Sequence, residues 1–199
     1  MADTGAPWNL PYPLPTDLVR DGANAIEDLA EATADGLSAA GGLVAVKSAI
    51  FTGTETESVT AGNNFAVQDL EITHAVADPA NRLIISAFLG AAGNSSGFGQ
   101  VGIAVHDGTG LIAIGDADGD RTRVTAGGPT VGSSNSRVVV MPSVTFVHTP
   151  GAGSKTYTVR AININDSTRT LYINRSQDDF DDAGRSRAVS SLVIQEVKV

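Results

Sequence analysis

From Leu43 to Val199 the apolar positions fall into short runs rather than helical stripes. LIISAF (83–88), VGIAV (101–105), LIAIG (111–115), RVVVMPSVTFV (137–147), KTYTVRAINI (155–164), RTLYI (169–173) and AVSSLVIQEVKV (188–199) are rich in β-branched residues. Between the runs stand turn-forming stretches such as DPAN, DGTG, DADGD and TPGAGS, where Gly, Pro, Asp and Asn supply the dihedrals that strands avoid. Strict alternation places Val101, Ile103 and Val105 on one face of a strand. It does the same for Val138, Val140, Val144 and Phe146 around Pro142. Turns at this spacing, with no helical period between strands, predict about eight to ten strands in an antiparallel β-sandwich or jelly roll over residues 43–199.

The first forty residues carry a different pattern. Residues 1–16 interleave Pro7, Pro11, Pro13 and Pro15 with Trp8, Leu10, Tyr12 and Leu14. Proline at this density excludes a helix and favours extended backbone. Apolar side chains on an extended arm are costly in water unless they dock, so an attachment peptide is favoured over a disordered tail. From Thr16 or Asp17, either of which can cap a helix, Val19, Ile26, Leu29 and Thr33 recur near heptad spacing, and Gly41-Gly42 supplies a stop. Residues 17–42 are therefore expected to be a helical stem. Its apolar stripe is too thin to stand alone, which favours a short parallel bundle of identical chains over packing on its own domain.

Composition narrows the partners. The 199 residues suit one good-sized core plus an appended segment. A formal charge of −9 would be repelled by nucleic acid and by anionic membranes, so neither is expected as a partner. The absence of cysteine removes disulfides, thiolate nucleophiles and cysteine-based zinc sites. No apolar run is long enough to span a bilayer, and the start of the chain lacks a basic leader and a hydrophobic signal region.

Several motifs suggest chemistry. In GNSSGFGQVG (93–102), residues 93–97 match the G-x-S-x-G of a nucleophile elbow and residues 97–102 match the G-x-G-x-x-G of a dinucleotide turn. Both need a helix to follow, whereas VGIAVHDG reads as a strand, so a hairpin loop is expected. Asp116, Asp118 and Asp120 imitate the start of a calcium loop, but Arg121 and Gly127 occupy the sixth and twelfth places where Gly and Glu are required. A solvated turn is the stronger expectation, with a weak cation site as the alternative. The run Asp178-Asp179-Phe180-Asp181-Asp182 reads as a solvated loop, with a trimer-axis or cation role as the alternative. His74, His106 and His148 are isolated in sequence, without ligand spacing. The sequons at Asn94, Asn165 and Asn174 have meaning only in a glycosylating compartment. No catalytic residue, metal ligand or cofactor is assigned, and an enzyme is not expected.

The run PWNLPYPLPTDLVRDGANAIEDLAEATADGL (7–37) resembles the N-terminal segment of tailed-bacteriophage virion proteins: short tail fibres, minor tail proteins and head fibres. The resemblance covers about a fifth of the chain. The remainder, ending SSLVIQEVKV, is similar to the jelly-roll heads of the tumour-necrosis-factor and C1q type that close many phage fibres. The resemblance implies a homotrimer bound to other virion proteins of tail or capsid and assembled in the host cytoplasm. Trp8, Leu10, Tyr12 and Leu14 would anchor the arm, and Val19, Ile26, Leu29 and Thr33 would line a three-chain stem. With no shaft repeat beyond one helix, a short appendage is expected rather than a long leg. Capsid decoration is the alternative. A carbohydrate-binding module or a polysaccharide-degrading enzyme would be alternatives of another class. Loops around residues 90–100, 126–136 and 176–187 would then carry recognition of a host cell-surface glycan.

Overall fold

A computed structural model describes residues 2–3, 11–12, 28–33, 42–93, 101–127 and 137–199. The chain divides into two compact units, Met1–Gly42 with Val199, and Leu43–Lys198.

In the first unit, β1 (Ala2–Asp3) pairs antiparallel with β2 (Pro11–Tyr12), Ala2 opposite Tyr12 and Asp3 opposite Pro11. The backbone is thus extended in these four residues of the expected arm. Residues 28–33 form helix α1, in which the Thr33 hydroxyl donates to the Leu29 carbonyl at 2.7 Å. Leu29 is half-buried and Thr33 exposed. Trp8, Leu10, Leu14, Val19 and Ile26 lie outside the described residues.

The second unit is all β. Its strands are β3 (Leu43–Phe51), β4 (Glu55–Val59), β5 (Asn64–Ala75), β6 (Arg82–Phe88), β7 (Ala91–Gly93), β8 (Val101–His106), β9 (Leu111–Ile112), β10 (Ala126–Gly127), β11 (Ser143–His148), β12 (Ser154–Asn163), β13 (Arg169–Ile173) and β14 (Ser190–Val197). One sheet has the order β11-β6-β14-β3 and a second β10-β8-β12-β5, with β9 also on β8; a smaller third sheet is β4-β13-β7. Every pairing is antiparallel. The surplus over the expected number comes from β7, β9 and β10, which are two or three residues long.

The core is where period-2 side chains of the two larger sheets meet. Leu83, Ile85, Leu192 and Ile194 from the first sheet pack with Ile103, Val105, Tyr157 and Val159 from the second; Leu171 and Ile173 of β13 join them. These side chains are almost wholly buried, and each contributes roughly 1.5–3 kcal/mol from removal of apolar surface from water.

Two local departures from alternation have clear causes. In β5 the buried Val67 and Leu70 are three apart, because Asp69 adopts a left-handed conformation (φ 58°) and the register with β12 shifts between Thr158 and Arg160. This is a bulge that turns both side chains inward. In β8, Val101, Gly102, Ile103, Ala104 and Val105 are all buried, so the alternation expected there describes only one of two covered faces. A Cβ on Gly102 would lie 2.5 Å from Val124 Cγ1 and 2.9 Å from Ile164 Cδ1, which shows what covers the other face.

Candidate functional site

Three places in the sandwich carry chemistry beyond packing. The first is a polar layer inside one end of the head. Glu196 of β14 is 1% exposed, yet its carboxylate accepts from Asn81 Nδ2 at 2.6 Å, Ala77 N at 2.8 Å and His74 Nε2 at 2.8 Å. Burial alone would raise its pKa, but the Asn81 amide, the Ala77 N–H and His74 together outweigh burial and hold the group below its ordinary value. The cluster ties β5 of one sheet to β14 of the other through the turn at residues 77–81.

Asp107 sits in the same layer. Its Oδ1 accepts from Thr109 N, Thr109 Oγ1 and Gly110 N, while Lys155 Nζ approaches Oδ2 at 2.6 Å. Burial opposes ionisation, but Lys155 and the turn donors overcome it and keep the carboxyl well below the usual range. Tyr157, opposite Ile72 on the inner face of β12, is pushed up to about 12 by burial and by the Asp107 charge. His148 meets it edge-on, with centroids 5.9 Å apart, and is held down by burial and by Lys155 against the pull of Asp107. Lys155 of β12 and Asp107, just past the end of β8, belong to one sheet, while His148 of β11 meets Tyr157 of β12 across the two sheets. Sequence reasoning treated His74 and His148 as isolated; their partners are Glu196, 122 residues away from His74, and Tyr157.

The second place is the outer face of the β11-β6-β14-β3 sheet. The register stacks three rows: Val147–Ile84–Gln195–Val46, then Thr145–Ser86–Val193–Ser48, then Ser143–Phe88–Ser191–Ile50. None of the twelve positions is charged. Val147 is 65% exposed, Ile50 61% and Val46 53%. A shallow recess of 230 Å³ runs between Phe88, Ser143 and Ser191. The outer face of the opposite sheet is different: Glu71, Thr158 and His106 share one row, and Arg160 lies between Ala66 and Ala104 in another. The twelve positions are half apolar and half Ser, Thr or Gln, with Arg82 in the row beyond them, whereas charge enters the middle of the opposite outer face.

The third place is the long loop between β13 and β14. A bridge between Arg175 and Arg187 closes its neck. Below the neck, Asn174 is fully buried in a left-handed conformation (φ 58°). Its Nδ2 donates to the carbonyls of Phe51 at 2.7 Å and Gly53 at 2.9 Å, and its Oδ1 accepts from Ser190 Oγ at 2.6 Å. Ser190 Oγ in turn accepts from Gly90 N. This buried network braces the loop, and it leaves Asn174 inaccessible to glycosylation as a sequon. Above the neck, Arg187 pairs with Asp179 at 2.7 Å, Arg185 with Asp182 at 2.7 Å and Arg175 with Asp179 at 3.5 Å. The sequence showed the acidic run but not the arginines that pair with it.

The remaining motifs resolve simply. The chain after GNSSGFGQ is strand β8, not the helix that either catalytic pattern needs, and residues 94–100 themselves lie outside the described residues. Asp116, Asp118 and Asp120 are exposed on a turn, where Asp118 pairs with Arg121. Among the described residues no group of three or more His, Asp or Glu side chains is arranged to hold a metal ion, and no helix is long and apolar enough to cross a membrane. No protein-family model matches the chain, and no curated protein matches it either.

Proposed function

We propose that this chain is a non-catalytic structural protein of a bacteriophage virion, a short trimeric fibre or tail appendage anchored by its N-terminal arm and presenting the β-sandwich head to the host surface. The observation that carries the proposal is the set of three uncharged rows on the outer face of the β11-β6-β14-β3 sheet, bordered by Arg82 in the next row. On a chain of net charge −9, these rows let two copies meet with little desolvation or opposition of charge. The order β11-β6-β14-β3 against β10-β8-β12-β5 supports a jelly-roll winding of the head.

Area explains why a stem belongs in the design. Four strands about 4.8 Å apart and six residues long present a face of about 300 Å², well under the roughly 800 Å² per partner of a stable interface. Such a contact is weak between free heads. It becomes effective when helices such as α1 hold the chains together and raise the local concentration of one head about another.

Two measurements test this. The full chain at micromolar concentration is expected to sediment as a trimer, and Val46→Glu to weaken that trimer without unfolding the head; a wild-type chain that sediments only as a monomer refutes the assembly. Gold-labelled antibody against the chain is expected to decorate intact phage particles at the tail. Label over the capsid would make the protein a decoration or head fibre, and unlabelled particles would refute a virion role.

A further inference from the structure

We infer that the loop closed by Arg175 and Arg187 is a binding subsite for one neutral sugar ring, with Phe180 as its stacking platform. The inference rests on the proposed role of the head in host-surface attachment and gives that role a ligand chemistry.

Charge decides what the loop can take. The four carboxylates from Asp178 to Asp182 face three guanidinium groups, and the closest pairs stand at 2.7 Å. A polyanion would meet surplus negative charge. A metal ion would have to displace arginines already hydrogen-bonded to the carboxylates. What remains is a fixed array of donors and acceptors close together, which suits hydroxyl groups because each can donate and accept at once.

Apolar surface supplies the second requirement. Phe180 is 67% exposed, and Arg185 lies over its ring at 5.4 Å from the centroid. An aromatic face is the negative end of its quadrupole, and it attracts the weakly positive C–H groups of a pyranose. The recess beside it has a volume of 210 Å³ and is lined by Phe180, Asp182, Arg185 and Arg187 among others. Drug-sized ligands need at least about 300 Å³, so one ring fits here and a longer chain would run on over the surface.

Rigidity is the third requirement. The Arg185 side chain lines the recess and is only 10% exposed, with its guanidinium held by Asp182 at 2.7 Å. The Asn174 and Ser190 network beneath holds the loop in shape before binding, which lowers the ordering cost of capture.

The test uses the full chain, its assembly state first measured by sedimentation velocity, on an array of immobilised neutral bacterial oligosaccharides, with dextran sulfate as competitor. The expected result is binding to a subset of neutral glycans that dextran sulfate does not displace. Phe180→Ala should weaken it about tenfold or more while Phe180→Trp retains it. The exposed position of Phe180 leaves the fold intact in both variants, and an unchanged Tm checks this. Binding equal in Phe180→Ala and wild type, displacement by dextran sulfate, or an assembled wild type that binds nothing overturns the subsite. A monomer that binds through Phe180 would support the subsite and refute the assembly; a monomer that binds nothing would refute both.

Discussion

Removing the Glu196 carboxylate is expected to cost the head a large part of its stability. Glu196→Ala strands three donors at once, Asn81 Nδ2, Ala77 N and His74 Nε2, in a place where the glutamate is 1% exposed. Each unpaired buried donor costs about 1–3 kcal/mol, and water entering the vacated space recovers part of that, so a net loss of about 4 kcal/mol is expected. Native domains have only about 5–15 kcal/mol to lose. With a urea dependence of about 2 kcal/mol per molar, the unfolding midpoint at pH 7 should fall by about 2 M. Glu196→Gln keeps the bonds from Asn81 and Ala77 and should cost less. Acid distinguishes the two variants from wild type by a different route. The folded carboxyl titrates below its ordinary value of 4.5, so its contribution is complete above that pH and is lost as pH falls toward the folded pKa. Wild type should therefore lose stability below about pH 4.5 more steeply than Glu196→Gln. A loss at pH 7 under about 1 kcal/mol for Glu196→Ala, or parallel acid slopes, would refute the claim that this network joins the sheets.

Other positions make independent predictions. Asn174→Ala removes the donor to Phe51 and Gly53 and places alanine at φ 58°, and should cost about 3 kcal/mol by chemical denaturation; Asn174→Gly should recover the backbone part of that loss, and equal losses would count against strain. Gly90→Ala would put a Cβ 2.5 Å from the Ala188 Cβ, and the overpacking should cost about 2 kcal/mol and raise amide exchange across residues 174–190. Tyr157→Phe removes a buried hydroxyl that has no partner, and is expected to leave stability unchanged or raise it by about 1 kcal/mol; a clear loss in thermal unfolding would mean that the hydroxyl is satisfied.

How far these features can be read from sequence depends on whether they are local. Runs such as RTLYI and LVIQEV give away β13 and β14 because one half-buried strand is a period-2 object. The same logic misses β4, whose ETESV is polar because its outer positions are solvated, and it blurs β5, where Asp69 breaks the period. It also misreads β8, whose second face is covered by Val124 and Ile164 from later in the chain. Several polar contacts of the candidate sites are of this long-range kind, while others, such as Arg185 with Asp182, are local. Asn174 meets Phe51 across 123 residues, and Lys155 reaches Asp107 across 48. The four aspartates around Phe180 are visible as a loop, but whether their carboxylates are bare or paired is decided by where Arg175, Arg185 and Arg187 come to rest.

The two outer faces of the sandwich also show why composition could not locate the proposed contact surface. Overall hydrophobicity is ordinary for a folded protein at 42%, and serine and threonine make the β11-β6-β14-β3 strands look polar one at a time. Only the register reveals that Val147, Ile84 and Val46 share a row, and that the hydroxyls of Ser86 and Thr145, 3.0 Å apart, satisfy one another across the next. Paired hydroxyls make little demand on water. Where Ser86 and Thr145 satisfy one another, the face can be buried at smaller desolvation cost, and its polar positions lower the aggregation risk of a wholly aliphatic patch. In the proposed trimer, that compromise would let the heads meet only when the stem brings them together.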